Sequence, residues 1–484
     1  MLLIILNGRK QALAVSAGVL LPVLLVLGAV LFAWLFFQRR QPVLADQSAS
    51  PSGRESFLDL FIVLLCFAGL FLFPMHLRHP LLSNSLKGLS HINFPCVLAV
   101  LLSLLRLRRW TVVELLCFIA WLLLLIPLTV SNRDLKPEKT VTAAAQNLLP
   151  LFLVLFHMEP SRRRKTIGIF VLLFDCFILL LLVCGLVERF TDHALLRWVV
   201  ERMQAGGLSP DEYVRYLTDH RFSSFWGHPL TNALFFNGFY ALNILYLRSS
   251  RRHYLIPLLF VPSLIGILLC SSKTGIVICF SLFLISCWKY KKWFLLCIPV
   301  LLVMYFAGAF NGIIARFSEA SLTTGRLEDL EDYLASGISP FRWLSGYGTN
   351  VVLSKSNPVN IYNDAFEFSP LMYAFDYGIL FSVVHVGGLY AYATWRLLRM
   401  KHWTSWLCFS ALFAQICTYN GYALRNQDVC FYFCFLTLMI LNISSEQSLN
   451  DRQQPADHAP RTNSEYIPDV HGQNCGSHPV RSGL

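Results

Sequence analysis

Six residues of this 484-residue chain combine a reactive side chain with a setting suited to chemistry: Arg221, His228, Lys273, Arg326, Asp364 and Glu367. Arg221 opens the segment Arg221-Phe222-Ser223-Ser224-Phe225-Trp226-Gly227-His228-Pro229. A guanidinium at the edge of an apolar run offers paired, planar donors to phosphate or pyrophosphate, whereas a plain interfacial arginine only snorkels to water. His228 can position an acceptor, or simply bond backbone at a helix start. Lys273 lies in Ser271-Ser272-Lys273-Thr274-Gly275, a tight turn between apolar runs whose hydroxyls favour an anion. The upstream glycines of a nucleotide phosphate loop are absent there. Glu367 and Asp364 sit in Tyr362-Asn363-Asp364-Ala365-Phe366-Glu367-Phe368, where a polar segment enters an apolar one. A carboxylate in such surroundings can take a hydroxyl proton as general base, and the simpler alternative is an ion pair with Arg326 or Lys273. Asp376 follows, before Tyr377-Gly378, and an ionisable group inside an apolar run is a functional candidate.

The elements that must hold these residues are helices that cross a membrane. The chain is 55% hydrophobic and 14% charged, against about 25% charged in soluble domains. Apolar runs recur at roughly 12–37, 57–75, 90–105, 111–130, 141–158, 166–187, 223–247, 254–270, 275–288, 293–309, 371–395, 403–419 and 428–443. A run near 20 residues spans a bilayer core of about 30 Å. The expected fold is therefore an all-α integral membrane bundle of about 12–13 transmembrane helices in one domain, 1–443, with a disordered polar tail at 444–484. The run at 12–37 reads as a retained helix, since its apolar core is too long for a signal peptide and Arg39-Arg40 follow it.

Charge gives the orientation. Basic clusters such as Arg162-Arg163-Arg164-Lys165, Arg251-Arg252, Lys291-Lys292 and Arg396 to Lys401 follow alternate apolar runs. By the positive-inside bias these loops and the tail are cytoplasmic. If every run crosses, the N-terminus lies outside; if 90–105, which contains Pro95, only re-enters, it lies inside. The loops at about 188–222 and 310–370 then face outward, and are long in a chain of short connections. The first mixes Glu188, Asp192, Arg197, Glu201 and Arg202 with Trp198 and suits a surface helix. In the second, Thr324 is placed to cap a helix whose first turn carries Glu328 and Asp329.

The net charge of +12 resides mostly in short inward loops, with no continuous basic stripe, which argues against a nucleic-acid partner. All fourteen cysteines but Cys475 lie in apolar runs, where cysteine acts as a small hydrophobe. Cys430 and Cys434 share a helix face, but the sequence brings no histidine or carboxylate to them, so no metal site is expected.

The order of these features resembles the bacterial O-antigen polymerase and O-antigen ligase superfamily, over roughly residues 57–443. The features are Arg221 before Gly227-His228-Pro229, the hydroxyl-rich turn with Lys273, a long outward loop with Arg326 and Leu344-Ser345-Gly346-Tyr347-Gly348, and then Asp376-Tyr377-Gly378-Ile379. Counting back from Gly378, Glu367 falls where ligases of the superfamily carry a catalytic histidine followed by asparagine. Glu367-Phe368 looks more like the capsule and exopolysaccharide repeat-unit polymerases. The resemblance implies a multi-pass glycosyltransferase of the bacterial inner membrane, without metal or cofactor. Its donor would be a polyprenyl-pyrophosphate-linked glycan, its acceptor a sugar hydroxyl of an incoming repeat, and a chain-length regulator its partner. Arg221, Lys273, Arg326 and His228 would bind substrate, with Glu367, or its rival Asp364, as base. Transfer to lipid A core or protein is the alternative acceptor chemistry. A transporter or flippase is the alternative class, for which charges near mid-span would be expected.

Overall fold

A computed structural model describes residues 53–75, 78, 91–104, 110–194, 197, 201, 221–224, 228–248, 253–287, 298–299, 301–302, 305–306, 308, 310–319, 325–424 and 428–453. The first apolar run, the turn containing Thr324, most of the 188–222 and 293–309 segments, and residues 454–484 lie outside these. Among the described residues the chain is helical throughout, with no strand.

The helices are α1 Gly53–Phe67, α2 Phe94–Leu104, α3 Val112–Leu123, α4 Leu125–Ser131, α5 Pro137–Ala143, α6 Leu149–Val154, α7 Pro160–Phe190, α8 Pro229–Arg248 and α9 Ile256–Cys270. They continue as α10 Lys273–Cys287, α11 Asn311–Glu319, α12 Arg326–Ser336, α13 Ser369–Tyr377, α14 Ile379–Ser382, α15 Gly388–Arg399, α16 Trp403–Cys417 and α17 Val429–Gln453. Four helical stretches are long and apolar enough to cross a membrane: Val112–Ser131, Pro160–Phe190, His253–Cys270 and Val429–Leu449. Shorter apolar helices, among them Phe94–Leu104, Lys273–Cys287 and Trp403–Cys417, fill other expected runs.

Local chemistry explains several boundaries. Thr111 and Glu114 form a capping box that starts α3: the Thr111 hydroxyl accepts from Glu114 N at 3.4 Å and Glu114 Oε2 accepts from Thr111 N at 2.7 Å. Proline stands in the first turn of α5, α6, α7, α9 and α13, where its missing N–H is harmless. The run expected as one helix over 371–395 is broken instead. Gly378, at φ 101°, separates α13 from α14, and a π turn over Val383–Gly387 joins α14 to α15. The helix placed behind Thr324 begins at Arg326 after Gly325, with no side-chain cap, and does carry Glu328 and Asp329 in its first turn. The last helix runs to Gln453, past the boundary drawn at 443.

Polar contacts gather into two tiers at opposite ends of the helices. At one end Glu114 Oε1 meets His157 Nε2 at 2.6 Å and the Tyr392 hydroxyl at 3.1 Å, with Arg396 3.8 Å away. Asp59 accepts from Glu159 N at 2.7 Å, Gln447 donates to Leu245 O at 2.7 Å, and Arg248 donates to Thr404. Arg163, Arg248 and Arg396 all belong to this end. At the other end Arg78 and Asp428 form a buried ion pair at 2.7 Å, and Asn93 and Gln146 donate to the same carboxylate at 3.2 and 2.9 Å. Between the tiers lie packed rings. Phe71 is 4.7 Å from Phe177 and 5.2 Å from Phe174, and Phe235 is 4.7 Å from Tyr432. One buried carboxylate, Asp175, sits halfway along α7 and accepts from Asn243 at 2.9 Å.

Candidate active site

Segment 325–367 folds on a small apolar core of its own: Tyr333, Val352, Val359, Ala365, Phe366 and Phe375. Tyr333 meets Phe366 edge-on at 5.1 Å, and Phe366 lies 4.9 Å from Phe375 of α13. Burial pushes the Tyr333 phenol up to about 12, so it stays protonated and donates to Ser339 O. Asn357, accepting from Val359 N at 3.0 Å, and Pro358 start the 3₁₀ helix Pro358–Phe366, which packs against α12. That packing brings Glu367, at the end of one helix, to Arg326, at the start of the other.

The two form an ion pair that Arg326 extends by donating to Thr418 O at 3.2 Å, its guanidinium 5.8 Å from the Phe368 ring centre. The Glu367 side chain keeps 32% exposure, so it remains open to solvent. Asp364 is exposed on the preceding turn. Of the two carboxylates, Glu367 is the one paired with Arg326. The pair presents a carboxylate oxygen beside planar donors, one suited to a hydroxyl proton and the other to a phosphate oxygen.

The remaining candidates are seated by helix ends. Helix α9 stops at Cys270 because Ser271 turns left-handed at φ 49°, and Ser272 caps α10 by accepting from Gly275 N at 3.0 Å. Arg221, 9% exposed, donates from Nε to Cys270 O at 3.3 Å, while Phe222 N donates to Leu269 O at 3.0 Å. The cation thus meets carbonyls that carry the negative end of α9. Lys273, the first residue of α10, holds its ammonium 5.3 Å from the Phe317 ring centre. His228 accepts from Leu230 N at 3.1 Å through Nδ1, which is the helix-start role, and its ring stacks on Tyr419 at 5.0 Å.

Residues 418–419 draw these parts together. The Thr418 carbonyl takes Arg326, the Tyr419 ring covers His228, its hydroxyl meets Thr231 at 2.6 Å, and its carbonyl accepts from Ser369. Asn237 fixes the level of three helices by donating to Gly275 O at 3.0 Å and Gln415 Oε1 at 2.8 Å. The N-terminal ends of α8 and α10 and the C-terminal end of α16 therefore share one end of the bundle. His228, Lys273 and the Arg326–Glu367 pair lie there, with Arg221 beside the 270–273 turn.

The glycine motifs form a backbone clasp. Tyr347 N donates to Phe375 O at 3.0 Å, Gly348 N to Asp376 O at 2.9 Å, Ile379 N to Arg342 O at 2.9 Å and Leu380 N to Trp343 O at 3.0 Å. A Cβ at Gly346 would stand 2.2 Å from the Asp376 carbonyl carbon, so only glycine allows the approach. Asp376 is fully buried and accepts from Asn350 N at 3.0 Å; it anchors this loop.

Sequence reasoning missed the Arg78–Asp428 pair, the Glu114–His157–Arg396 group and Asp175. Their partners lie up to 350 residues away, and no local pattern marks them. It also left Cys430 without a histidine, whereas the fold brings His385 and Cys430 to one carbonyl: both bond Asn147 O, at 2.7 and 3.7 Å. Among the described residues no three His, Cys, Asp or Glu side chains group as metal ligands. No protein-family model matches the chain, and neither does a curated protein or a solved structure.

Proposed function

We propose that this chain is a polytopic glycosyltransferase of the bacterial cytoplasmic membrane that polymerises lipid-linked oligosaccharide repeats on the outer face. The observation that carries the reading is the Glu367–Arg326 pair, at the same bundle end as Lys273 and His228 and opposite the end bearing Arg163, Arg248 and Arg396. By the positive-inside bias that opposite end is cytoplasmic, so the pair faces outward, where nucleotide sugars are absent and lipid-linked donors are presented.

The proposed step is a displacement at the reducing-end anomeric carbon of the growing glycan. A sugar hydroxyl of the incoming repeat forms the new C–O bond, and Glu367 takes its proton. The bond to polyprenyl pyrophosphate breaks, and the pyrophosphate leaves with the electron pair. Arg326 turns from Glu367 to the leaving oxygens, which frees the base as charge develops; Lys273 and Arg221 add to the cationic end. His228, held as a helix-start residue with Nδ1 accepting from Leu230 N, stacks on Tyr419 at this end.

The test uses purified protein in proteoliposomes with a lipid-linked repeat as substrate. Glu367→Gln keeps size but removes the base, and is expected to slow chain growth about 100-fold, the low end for a positioned base. Asp364→Asn should polymerise normally. Wild-type growth by Glu367→Gln sinks the assignment, and loss in Asp364→Asn alone moves it three residues upstream.

A further inference from the structure

Next to the clasp, three consecutive side chains point outward. Trp343 and Leu344 are 71% and 70% exposed, and Arg342 beside them is exposed with its guanidinium 4.1 Å from the Tyr347 ring centre. Two large apolar side chains left in water on a rigid loop call for a partner. The loop is rigid because Arg342 O and Trp343 O each accept a backbone hydrogen bond from the start of α14, and Gly346 N donates to Ser131 Oγ of α4 at 2.7 Å.

Those same bonds fix what lies alongside. Leu380 of α14 is 43% exposed and Val383, just below it, 61% exposed; on α4, Ile126 and Val130 are 61% and 47% exposed. The exposed Trp343–Leu344 pair is therefore tied to the ends of two elements that themselves expose apolar side chains, with Arg133 and Asp134 exposed just past the end of α4. A soluble partner would need to cover all of these apolar side chains. A bilayer covers them without further contacts, and tryptophan beside arginine is the pairing that suits the headgroup boundary, with the ring among acyl-chain ends and the guanidinium at phosphate level.

We propose that Arg342-Trp343-Leu344 is an interfacial anchor, which seats the 325–367 segment in the outer leaflet and so sets the height of Glu367 above the membrane. The inference rests on the membrane part of the proposed function and not on the glycosyl-transfer chemistry.

A spin label carried on p-acetylphenylalanine at position 343 tests it, in the full chain reconstituted into nanodiscs containing phosphatidylglycerol. Relaxation by oxygen, which partitions into lipid, is compared with relaxation by a water-soluble nickel chelate. Labels at Val383 and at Glu331, an exposed acidic position on α12, serve as lipid and water references. The expected result is oxygen dominance at 343 and 383 and nickel dominance at 331. Nickel dominance at 343 with oxygen dominance at 383 overturns the anchor and leaves the membrane reading standing. Nickel dominance at 383 as well overturns both. Shielding of 343 from both agents assigns the surface to a protein contact and also overturns the anchor. Because no outcome depends on polymer synthesis, failure of the catalytic assignment is separately visible.

Discussion

Gly346→Ala probes how the site is held. The new methyl carbon would stand 2.2 Å from both Phe375 O and the Asp376 carbonyl carbon. Neither neighbour is a flexible side-chain tip, so the clasp must part by about an ångström. Parting it breaks the four backbone hydrogen bonds that join 342–348 to 375–380. At ~0.5–1.5 kcal/mol net for each bond, the closed state loses ~2–6 kcal/mol. Opening of the 325–367 segment then rises about 30-fold to about 10⁴-fold, since ~1.4 kcal/mol is a factor of ten. Cleavage by a protease that attacks only the open state reports that population when closing is fast. The assay is limited proteolysis of purified protein in detergent, with cleavage inside 325–367 followed by mass spectrometry. Gly387→Ala is the control, because a Cβ there meets nothing within 4 Å. Equal cleavage rates in Gly346→Ala and Gly387→Ala would refute the clasp as the element that seats Glu367.

Asp428→Ala should be among the most destabilising single changes, by about 3–5 kcal/mol, because it strands the Arg78 guanidinium in a buried site. The double change Arg78→Met/Asp428→Leu should recover most of the loss in thermal denaturation, and a single variant no weaker than a surface substitution counts against the pair. The Tyr333 phenol ionises at about 12 in the folded protein and near ~10 when unfolded. The unfolded state thus loses its proton first, and stability is unaffected below ~10 but falls as pH rises from there toward 12. The ultraviolet difference titration between wild type and Tyr333→Phe should place the missing phenol near 12, and a transition near 10 would show that the ring is not buried.

Burial and bilayer crossing both demand long apolar runs, so the runs at 111–130, 166–187, 254–270 and 428–443 were legible and return as helices long and apolar enough to cross; those at 141–158 and 371–395 are broken, and helix α11 joins the expected α12 in the segment read as a long loop. The break at Gly378 was not legible, because it exists to let residues 342–348 pass against α13, a contact about thirty residues away in sequence. Both glycine motifs stood out in the chain, yet neither alone says that they grip each other. The Arg326–Glu367 pairing was one of two partners open to the carboxylate, and the shared core around Tyr333 and Phe366 decided between Arg326 and Lys273. His228 took the simpler of its two readings, as a helix-start residue. Arg78 and Asp428 gave no signal, since each is a lone charge beside an apolar run and only the fold supplies Asn93 and Gln146.

The packed rings between the two polar tiers bear on a task separate from catalysis. If the chain sits in an energised membrane, as proposed, moving one elementary charge through that membrane is worth about 2.3 kcal/mol per 100 mV. Water threads a protein only where it finds two to four polar partners; Phe71, Phe174, Phe177, Phe235 and Tyr432 supply a single hydroxyl among them, and the carboxylate at their level, Asp175, is engaged by Asn243. On the proposed reading, the end that carries Glu367 can then stay wet and charged without becoming a leak. For these rings the relevant property is electrical resistance, and on that reading the Glu367 end is a chemical surface mounted on an insulator.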